Sequence, residues 1–470
     1  MTPSRRRDPL WETPYSTATL DPSSGLPPFP AAEALRPRPG RRRSLFTNFS
    51  LFLNAGYLLE GRTFAYLGVP GFYPGELLLL LASLRRRNNL WHTYMDELRR
   101  RPLLPLAVAL FLVWGFVESF RGYLGGYSLL DSFRGLAAHY YPLLLFVGIG
   151  VAGSLSTSYV MRHLTTLNIL MGVAGIVSVW VPSDLYLPWT SNVSVVGKPA
   201  VPCFTLLLAI ALIDRISLRL AISVTMAEFA LLMVARSAIL GGLAGGIVLL
   251  WTRRGERKRA FLFLAVSAIL YAGISATIPW VVPDVGGRIG ALSPSRIASR
   301  VVAIFDSDLA HEIAVYSGED PLYLDAEAGT AQWRRKFWDA AINSLESPGD
   351  WIAGHGYGFS LGGLLSVAWG GYGNAVRTPH NFVVFLLGYT GIVGLFLYGL
   401  IVFAFGMQLR QCRPSRLKNG IIASAVGIMI MAFSGNLFES PFGAVPTYLT
   451  MGILLQLARG EGRRPLRRKG

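Results

Sequence analysis

Cysteines and charged side chains, which stabilise many secreted and water-soluble proteins, are both scarce in this sequence. Its 470 residues include only two cysteines, Cys203 and Cys412, which fall in a predicted membrane span and in a predicted cytoplasmic loop. That separation excludes an intrachain disulfide. Charged residues make up 15% of the chain and hydrophobic residues 52%, and the mean hydropathy is +0.43. Such a composition excludes a water-soluble globular domain and indicates a polytopic membrane protein.

Acidic residues are the scarcer of the two charged types. The chain has 27 Asp and Glu residues against 44 Lys and Arg residues, which gives a formal net charge of +17. A nucleic-acid-binding protein can show the same excess, but here the arginines lie in clusters between apolar runs. This distribution is typical of the cytoplasmic loops of membrane proteins, so membrane lipids are expected partners and nucleic acid is not.

Apolar runs that approach the ~20 residues needed to span a bilayer recur along the chain. They predict an all-α membrane protein with about twelve transmembrane helices. Glu60 and Arg62 leave little polar linker between the first two spans, and a single broken hairpin is the alternative there. The predicted spans are residues 45–61, 64–84, 103–120, 137–156, 164–182, 199–213, 217–235, 237–252, 260–282, 380–407, 420–437 and 441–458.

The basic clusters also predict the orientation, because they all fall on one side of the predicted spans. That side is expected to be the cytoplasm, with both chain termini there. No apolar segment follows the early charges before the first span, so residues 1–44 do not resemble a signal peptide. The predicted organisation is a disordered basic cytoplasmic tail (1–44), helices 1–9 (45–282), a large, mostly helical extracytoplasmic loop carrying part of the active site (283–379), helices 10–12 (380–458) and a basic cytoplasmic tail (459–470).

The long outer loop ends where a polar segment becomes a strongly apolar helix. Thr378 is a suitable N-cap and Pro379 suits the first helical position, so His380 is predicted to lie in the first helical turn. Free backbone N–H groups and the helix dipole attract anions there. Gly391 and Gly394 share a helical stripe with His380 and would let a neighbouring helix approach closely.

Two arginines are predicted to share the outer face with His380. Arg236 follows the seventh span, and Arg334 lies in the outer loop beside Arg335. Guanidinium groups bind phosphate in a bidentate manner, and a neutral histidine can act as a general base, so the set suits a lipid diphosphate. The alternatives are a snorkelling Arg236, an Arg334–Arg335 helix face that meets solvent or headgroups, and a histidine that only caps a helix.

The pattern His-Asn, nine residues, Gly, two residues, Gly resembles the signature of the O-antigen ligase and O-antigen polymerase superfamily. Members of that superfamily are polytopic glycosyltransferases that take glycans from undecaprenyl diphosphate. The residues that carry the resemblance are His380, Asn381, Gly391 and Gly394, together with Arg236, Arg334, Trp338, the stretch Ala-Gly-His-Gly-Tyr-Gly-Phe at 353–359 and the stretch Tyr-Pro-Gly-Glu-Leu-Leu-Leu-Leu at 73–80.

The resemblance implies a GT-C-like fold and transfer with inversion at the anomeric carbon, without a metal cofactor. It implies that Arg236 and Arg334 hold the diphosphate and that His380 assists the acceptor hydroxyl. Further candidates for substrate binding on the outer face are Arg335, Asn381, Arg377 and Lys198.

One cluster argues against metal independence. Asp306 and Asp308, with His311 and Glu312 nearby, supply oxygen ligands that could hold Mg²⁺ or Mn²⁺. A lone Asp-x-Asp is common and suits a solvated helix equally well. No metal site is therefore predicted.

The expected partners are an undecaprenyl-diphosphate-linked glycan as donor and a glycan or envelope polymer as acceptor, at the bacterial cytoplasmic (inner) membrane. Ligase and polymerase remain open, and a flippase and a chain-length regulator are candidate protein partners. The alternative functions are a transporter or flippase of lipid-linked oligosaccharide and an assembly scaffold. A transporter of two matching halves would place its long linker centrally in the cytoplasm, whereas this long loop lies outside, between spans nine and ten.

Overall fold

The computed structural model describes residues 44–68, 73–85, 89–180, 199–211, 217–233, 236–252, 261, 265, 269, 273, 302, 307–316, 333–364, 378–435 and 437–461. All of them lie in the second of two compact units, Pro37–Gly470. Throughout these described ranges the regular secondary structure is helical and no strand is present. The predicted tail 1–44 and most of the ninth span and of residues 283–332 lie outside them.

Most predicted spans that fall on described residues coincide with an observed helix, although the second does not. They are α1 (Leu45–Glu60), α2 (Arg62–Ala65), α3 (Pro74–Leu84), α4 (Leu90–Arg100), α5 (Leu103–Leu124), α6 (Leu129–Arg134), α7 (Ala137–Tyr140), α8 (Leu144–Ala152), α9 (Thr157–Trp180), α10 (Pro202–Ala211), α11 (Leu218–Met233), α12 (Arg236–Thr252), α13 (Ser307–Tyr316), α14 (333–343), α15 (Pro348–Ala353), α16 (Phe382–Arg410), α17 (Arg416–Ser434) and α18 (Pro441–Glu461).

Several of these elements are long and apolar enough to cross a membrane. Three shorter apolar helices are Pro74–Leu84, Pro202–Ala211 and Ser237–Thr252. The prediction of an all-α membrane protein is confirmed at this level, and the count of about twelve spans stays a prediction. The five segments of sufficient length within the described ranges are Leu103–Leu124, Leu129–Ala152, Phe382–Arg410, Arg416–Phe433 and Pro441–Gly460.

Helix α5 shows how the membrane environment shapes these helices. Leu106, Leu110 and Val113 are 48%, 51% and 58% exposed, whereas Leu104 and Ala107 on the opposite side are fully buried. Large apolar side chains spaced three and four residues apart lie on one helix face. An exposed apolar face of this kind is suited to lipid rather than to water.

Helices α12 and α17 meet through small residues. A Cβ on Gly241 would lie 2.5 Å from the carbonyl oxygen of Gly427, and a Cβ on Gly427 would lie 2.7 Å from that of Gly241. Lipid tails are as apolar as leucine, so membrane helices gain little from hydrophobic burial and associate through close packing. Gly241, Gly245 and Gly427 therefore allow the close contact between these two helices.

Polar contacts gather at two opposite ends of the helices. At one, which we call the Arg459 end, the guanidinium group of Arg459 donates to both carboxylate oxygens of Glu97 at 3.0 Å. Arg101 lies 3.8 Å from the same carboxylate, and Lys418 donates to the carbonyl oxygen of Arg410 at 3.1 Å. These members of the basic clusters lie together, as expected if all the basic clusters lie on one side of the membrane. The other end carries His380 and is called the His380 end.

The second predicted span begins later than expected. Residues 64–84 were predicted to be continuous, but α2 ends at Ala65 and the next helix begins at Pro74. Pro74 starts α3 because a proline at the first helical position has no N–H to leave unsatisfied. The carboxylate of Glu76 accepts hydrogen bonds from the hydroxyl groups of Tyr140 and Tyr141, each at 2.6 Å, which ties α3 to the following helices at the His380 end.

Candidate functional site

Helix α14 turns its aromatic side chains towards the segment that carries His380. Phe337 is fully buried, and the indole N–H of Trp338 donates to the carbonyl oxygen of Pro379 at 2.7 Å. The ring of Trp333 meets the His380 ring edge-on, with 5.9 Å between centroids. The aromatic side chains of α14 thus face the segment that carries His380, whereas Arg335 on the same helix is exposed.

The start of α16 differs from the prediction. The N-cap is Asn381, whose side-chain oxygen accepts from the backbone N–H groups of Val383 at 3.0 Å and Val384 at 3.2 Å. Thr378 is therefore not the cap, and His380 precedes the helix instead of lying in its first turn. An asparagine is as good an N-cap as a threonine, so the local rule allowed both positions and the tertiary contacts of residues 378–380 selected the later one.

His380 has an unusual backbone conformation and a defined hydrogen bond. Its φ is 53°, the only positive φ of a non-glycine residue among the described positions. Its Nδ1 lies 3.0 Å from the carbonyl oxygen of Thr378. A carbonyl can only accept, so Nδ1 carries the proton and Nε2 is left as the basic nitrogen. This is the tautomer that a general base acting through Nε2 requires.

The charge around His380 favours the neutral ring. Burial lowers the pKa of His380, the hydrogen bond to Thr378 partly opposes this, and the guanidinium groups of Arg334 and Arg62 lower it further. The neutral form that the general-base hypothesis requires is thus favoured by burial and by two arginines. Arg335, the neighbour of Arg334, is exposed.

Arg62 is a residue that the sequence reasoning treated only as part of a linker. It begins α2, and its guanidinium carbon lies 5.9 Å from the centre of the Tyr66 ring. Its charge acts on His380 across more than 300 positions of sequence. A signal was present, because Arg62 falls between two predicted spans on the side opposite to the basic clusters, where arginine is otherwise infrequent.

Arg236 begins helix α12 at the same end of the molecule. The next residue, Ser237, has its Oγ 3.2 Å from the position that a Cβ on Gly435 would occupy. Gly435 follows α17 and leads into Glu439, whose carboxyl group faces Thr378 and Asn381. The backbone thus places Arg236 at the His380 end, while Arg334 and His380 are brought within electrostatic reach of each other.

The remaining predicted residues have different outcomes. The observed contacts of Asn381 are those of a helix cap, and its contact with substrate stays a prediction. Arg377 and Lys198 lie outside the described residues, as does Asp306. Asp308 belongs to α13, and in the parts of the chain that the structure describes no group of three His, Cys, Asp or Glu residues is placed to hold a metal ion.

The glycine-rich turn at 353–359 has a conformation that explains its sequence. Gly354, Gly356 and Gly358 all have positive φ values, of 67°, 78° and 99°, which side chains other than glycine rarely adopt. The backbone N–H of His355 donates to the carbonyl oxygen of Gly388 at 2.9 Å, and that of Gly356 donates to the carbonyl oxygen of Tyr389 at 3.0 Å. Three alternate glycines therefore allow the chain to run tightly against α16.

The same turn explains Gly391. Helix α16 is broken at this residue, which has φ 64° and ψ −166°, and the backbone of Ile352 and Ala353 occupies the space a Cβ would need. The predicted close approach of another element to Gly391 is therefore observed. The approaching element is the short helix α15, and the contact lies at a break in α16. Gly391 does not continue a helical stripe from His380.

Arg121 on α5 completes this arrangement. Its Nη2 donates to the carbonyl oxygens of Ala353 at 2.8 Å and Gly354 at 2.5 Å, where α15 ends with unsatisfied carbonyls. It also forms an ion pair with Glu118 at 2.8 Å, and the carbonyl oxygen of Glu118 accepts from the backbone N–H of Tyr357 at 3.2 Å. The turn is therefore held between α5 and α16.

These features define a class: a multi-pass helical membrane protein with a partly buried histidine at one end of its helices, whose pKa is lowered by burial and by two arginines. Residues 221–399 match the family model described as O-Antigen ligase, which confirms that the chain resembles the O-antigen ligase and polymerase superfamily. The match indicates a glycosyltransferase-type activity in polysaccharide biosynthesis at an inner membrane, with a lipid-linked glycan donor and a glycan acceptor. No curated protein matches the chain significantly.

Proposed function

We propose that this protein transfers an oligo- or polysaccharide from undecaprenyl diphosphate to a hydroxyl group of an acceptor glycan or envelope polymer, with inversion at the anomeric carbon. The observation that supports this most is the state of His380. Its Nδ1 donates to the Thr378 carbonyl, and burial and the nearby arginines lower its pKa. A neutral imidazole with a free Nε2 is the form that removes a proton from a hydroxyl group.

In the proposed reaction, the acceptor oxygen forms a bond to the anomeric carbon of the donor sugar. Nε2 of His380 takes the hydroxyl proton, and the bond between the anomeric carbon and the diphosphate oxygen breaks. The electron pair of that bond leaves with undecaprenyl diphosphate, which gains negative charge. Attack on the face opposite to the leaving group gives inversion.

Arginines stabilise that developing charge in this proposal. Arg334 and Arg62 both act on His380 electrostatically, so a diphosphate bound between them would lie near the base. Arg236 begins a helix at the same end and is the third proposed contact. Guanidinium groups bind phosphate oxygens as a fork and remain charged.

Transfer without a metal is the prediction that follows, because arginines supply the positive charge that a divalent cation supplies in other phosphate sites. Purified protein, incubated with a lipid-diphosphate glycan and an acceptor without any ion gradient, should transfer the glycan with equal rates in EDTA and in Mg²⁺. Absence of transfer would favour the transporter or flippase. Loss of transfer in EDTA, reproduced by Asp306→Ala, would instead indicate a metal at Asp306 and Asp308.

We also propose that the His380 end faces away from the cytoplasm, with both termini inside. Single cysteines at positions 318 and 255, introduced after replacing the buried Cys203 and Cys412, test this in whole cells. A membrane-impermeant thiol reagent should label position 318 and not position 255. Labelling of position 318 from the cytoplasmic side alone would contradict the orientation.

A further inference from the structure

Glu439 has a buried carboxyl group that neither the family signature nor the proposed reaction uses. It lies in the short connection between α17 and α18, beyond the end of the segment matched by the family model. Both of its carboxyl oxygens are buried, and neither makes a fully formed hydrogen bond to the described part of the chain. Burying a carboxyl group without such a partner is costly, so its position calls for an explanation.

The groups that face this carboxyl belong to the turn that carries His380. Burial raises the pKa of Glu439 to about 8, and the Thr378 hydroxyl and the Asn381 backbone N–H oppose that shift. The adjacent Phe438 packs against the ring of Phe382 with 5.4 Å between centroids. Residues 438 and 439 therefore contact the chain on both sides of His380.

Thr378 connects Glu439 to the imidazole ring. Nδ1 of His380 lies 3.0 Å from the Thr378 carbonyl oxygen and 3.4 Å from its hydroxyl oxygen. His380 also has the positive φ described above, a conformation that persists only where the surrounding structure imposes it. A carboxyl group that faces both Thr378 and the N–H of Asn381 is placed to restrain the residues immediately before and after His380.

We propose that Glu439 is a positioning residue for His380: its carboxyl group holds the turn 378–381, and through the Thr378 carbonyl it fixes the tautomer and orientation of the ring. This role rests on the proposed function of His380 as a base. Glu439 itself does not exchange a proton with substrate in this scheme.

Kinetic measurements on variants test the role. Glu439→Ala should slow single-turnover transfer by on the order of 10²-fold, the effect of a small misplacement of a catalytic group, with donor affinity unchanged. Glu439→Gln keeps an oxygen that can accept from Thr378 or Asn381, so its rate should stay close to that of the wild type. Thr378→Val, which replaces the hydroxyl group with a methyl group of similar size, should slow turnover in the same way as Glu439→Ala but less.

A double-variant cycle separates positioning from a general structural effect. In a His380→Ala background, Glu439→Ala should cause no further loss of turnover, because groups that act as a unit are not additive. Additive losses, equal losses in Glu439→Gln and Glu439→Ala, or a normal rate in Thr378→Val would each overturn the proposal.

A readout without substrate keeps this inference separate from the proposed function. In ¹⁵N-histidine-labelled protein, the His380 signal is assigned by its absence in His380→Ala. It should show the Nδ1-protonated tautomer in the wild type and in Glu439→Gln, and an average of tautomers in Glu439→Ala. An unchanged spectrum in Glu439→Ala would overturn the positioning role. An inactive wild type with the expected tautomer pattern would instead refute only the proposed transferase.

Discussion

His380→Ala should lower the single-turnover rate of glycan transfer by about 10²–10⁴-fold, the range expected when a general base is lost. The affinity for the lipid-diphosphate donor should stay near that of the wild type, because the imidazole acts on the acceptor proton in the transition state and not on the bound diphosphate. Donor affinity and turnover measured separately in nanodiscs test this. Near wild-type turnover would show that His380 is only the residue before a helix.

The pH dependence of the transfer rate, in the wild type and in His380→Ala, is a second test of whether His380 is the general base. Burial and the neighbouring arginines lower the pKa of His380 from its ordinary value of 6.5, so the ring stays neutral at neutral pH. The wild-type rate should therefore decline only on acidification below that value. His380→Ala should lack this acidic decline, and its residual rate should rise with pH as the acceptor hydroxyl deprotonates more easily.

His92 supplies a matched control for these measurements. It is an exposed histidine on α4, the helix whose Glu97 pairs with Arg459 at the opposite end of the molecule. His92→Ala should leave donor affinity, turnover and the pH profile unchanged. A comparable loss in that variant would mean that the His380 effect reflects general destabilisation.

Arg334→Ala should reduce donor affinity and turnover together, with a rate loss on the order of 10²–10³-fold, as for removal of a preorganised donor to a developing negative charge. Arg334→Lys should remain impaired, because lysine keeps the charge but not the bidentate fork. Removing Arg334 also removes one of the two cations that depress the pKa of His380. The acidic decline of the rate should therefore move to higher pH in Arg334→Ala.

Arg335→Ala is the comparison that isolates the contribution of Arg334. The two arginines are adjacent and carry the same charge, but Arg334 has a buried Nε and acts on His380, whereas Arg335 is exposed. Arg335→Ala should retain most of the activity. Equal defects in the two variants would mean that the donor contacts both residues and that burial does not distinguish them.

The helical membrane class could be predicted from sequence because it depends on local quantities. Span length and apolarity follow from bilayer thickness, and the predicted spans 103–120, 237–252 and 441–458 each lie within an observed helix. The pairing of His380 with Arg334 was predicted only in that both would share one face. That prediction followed from the distribution of charged residues among the loops, which carries no information on the distance between the two side chains.

Within the site, the predictions that failed concern residues whose conformation depends on contacts with segments far away in sequence. Thr378 and Asn381 are both acceptable N-caps, and the choice of Asn381 accompanies hydrogen bonds from Trp338 to Pro379 and from His380 to Thr378. Gly391 lies in an apolar run whose sequence predicts an uninterrupted helix. The helix breaks there where the backbone of residues 352–353 packs against Gly391.

Composition, span length and motif spacing are properties of neighbouring residues, so they were enough to predict a helical membrane protein with a family signature around His380. The fold was needed to show which of two adjacent arginines acts on the histidine, that Arg62 acts there as well, and which ring nitrogen carries the proton. Those features depend on burial, on electrostatic interactions and on one backbone carbonyl, brought together from α2, α14 and the turn before α16, which lie far apart along the chain.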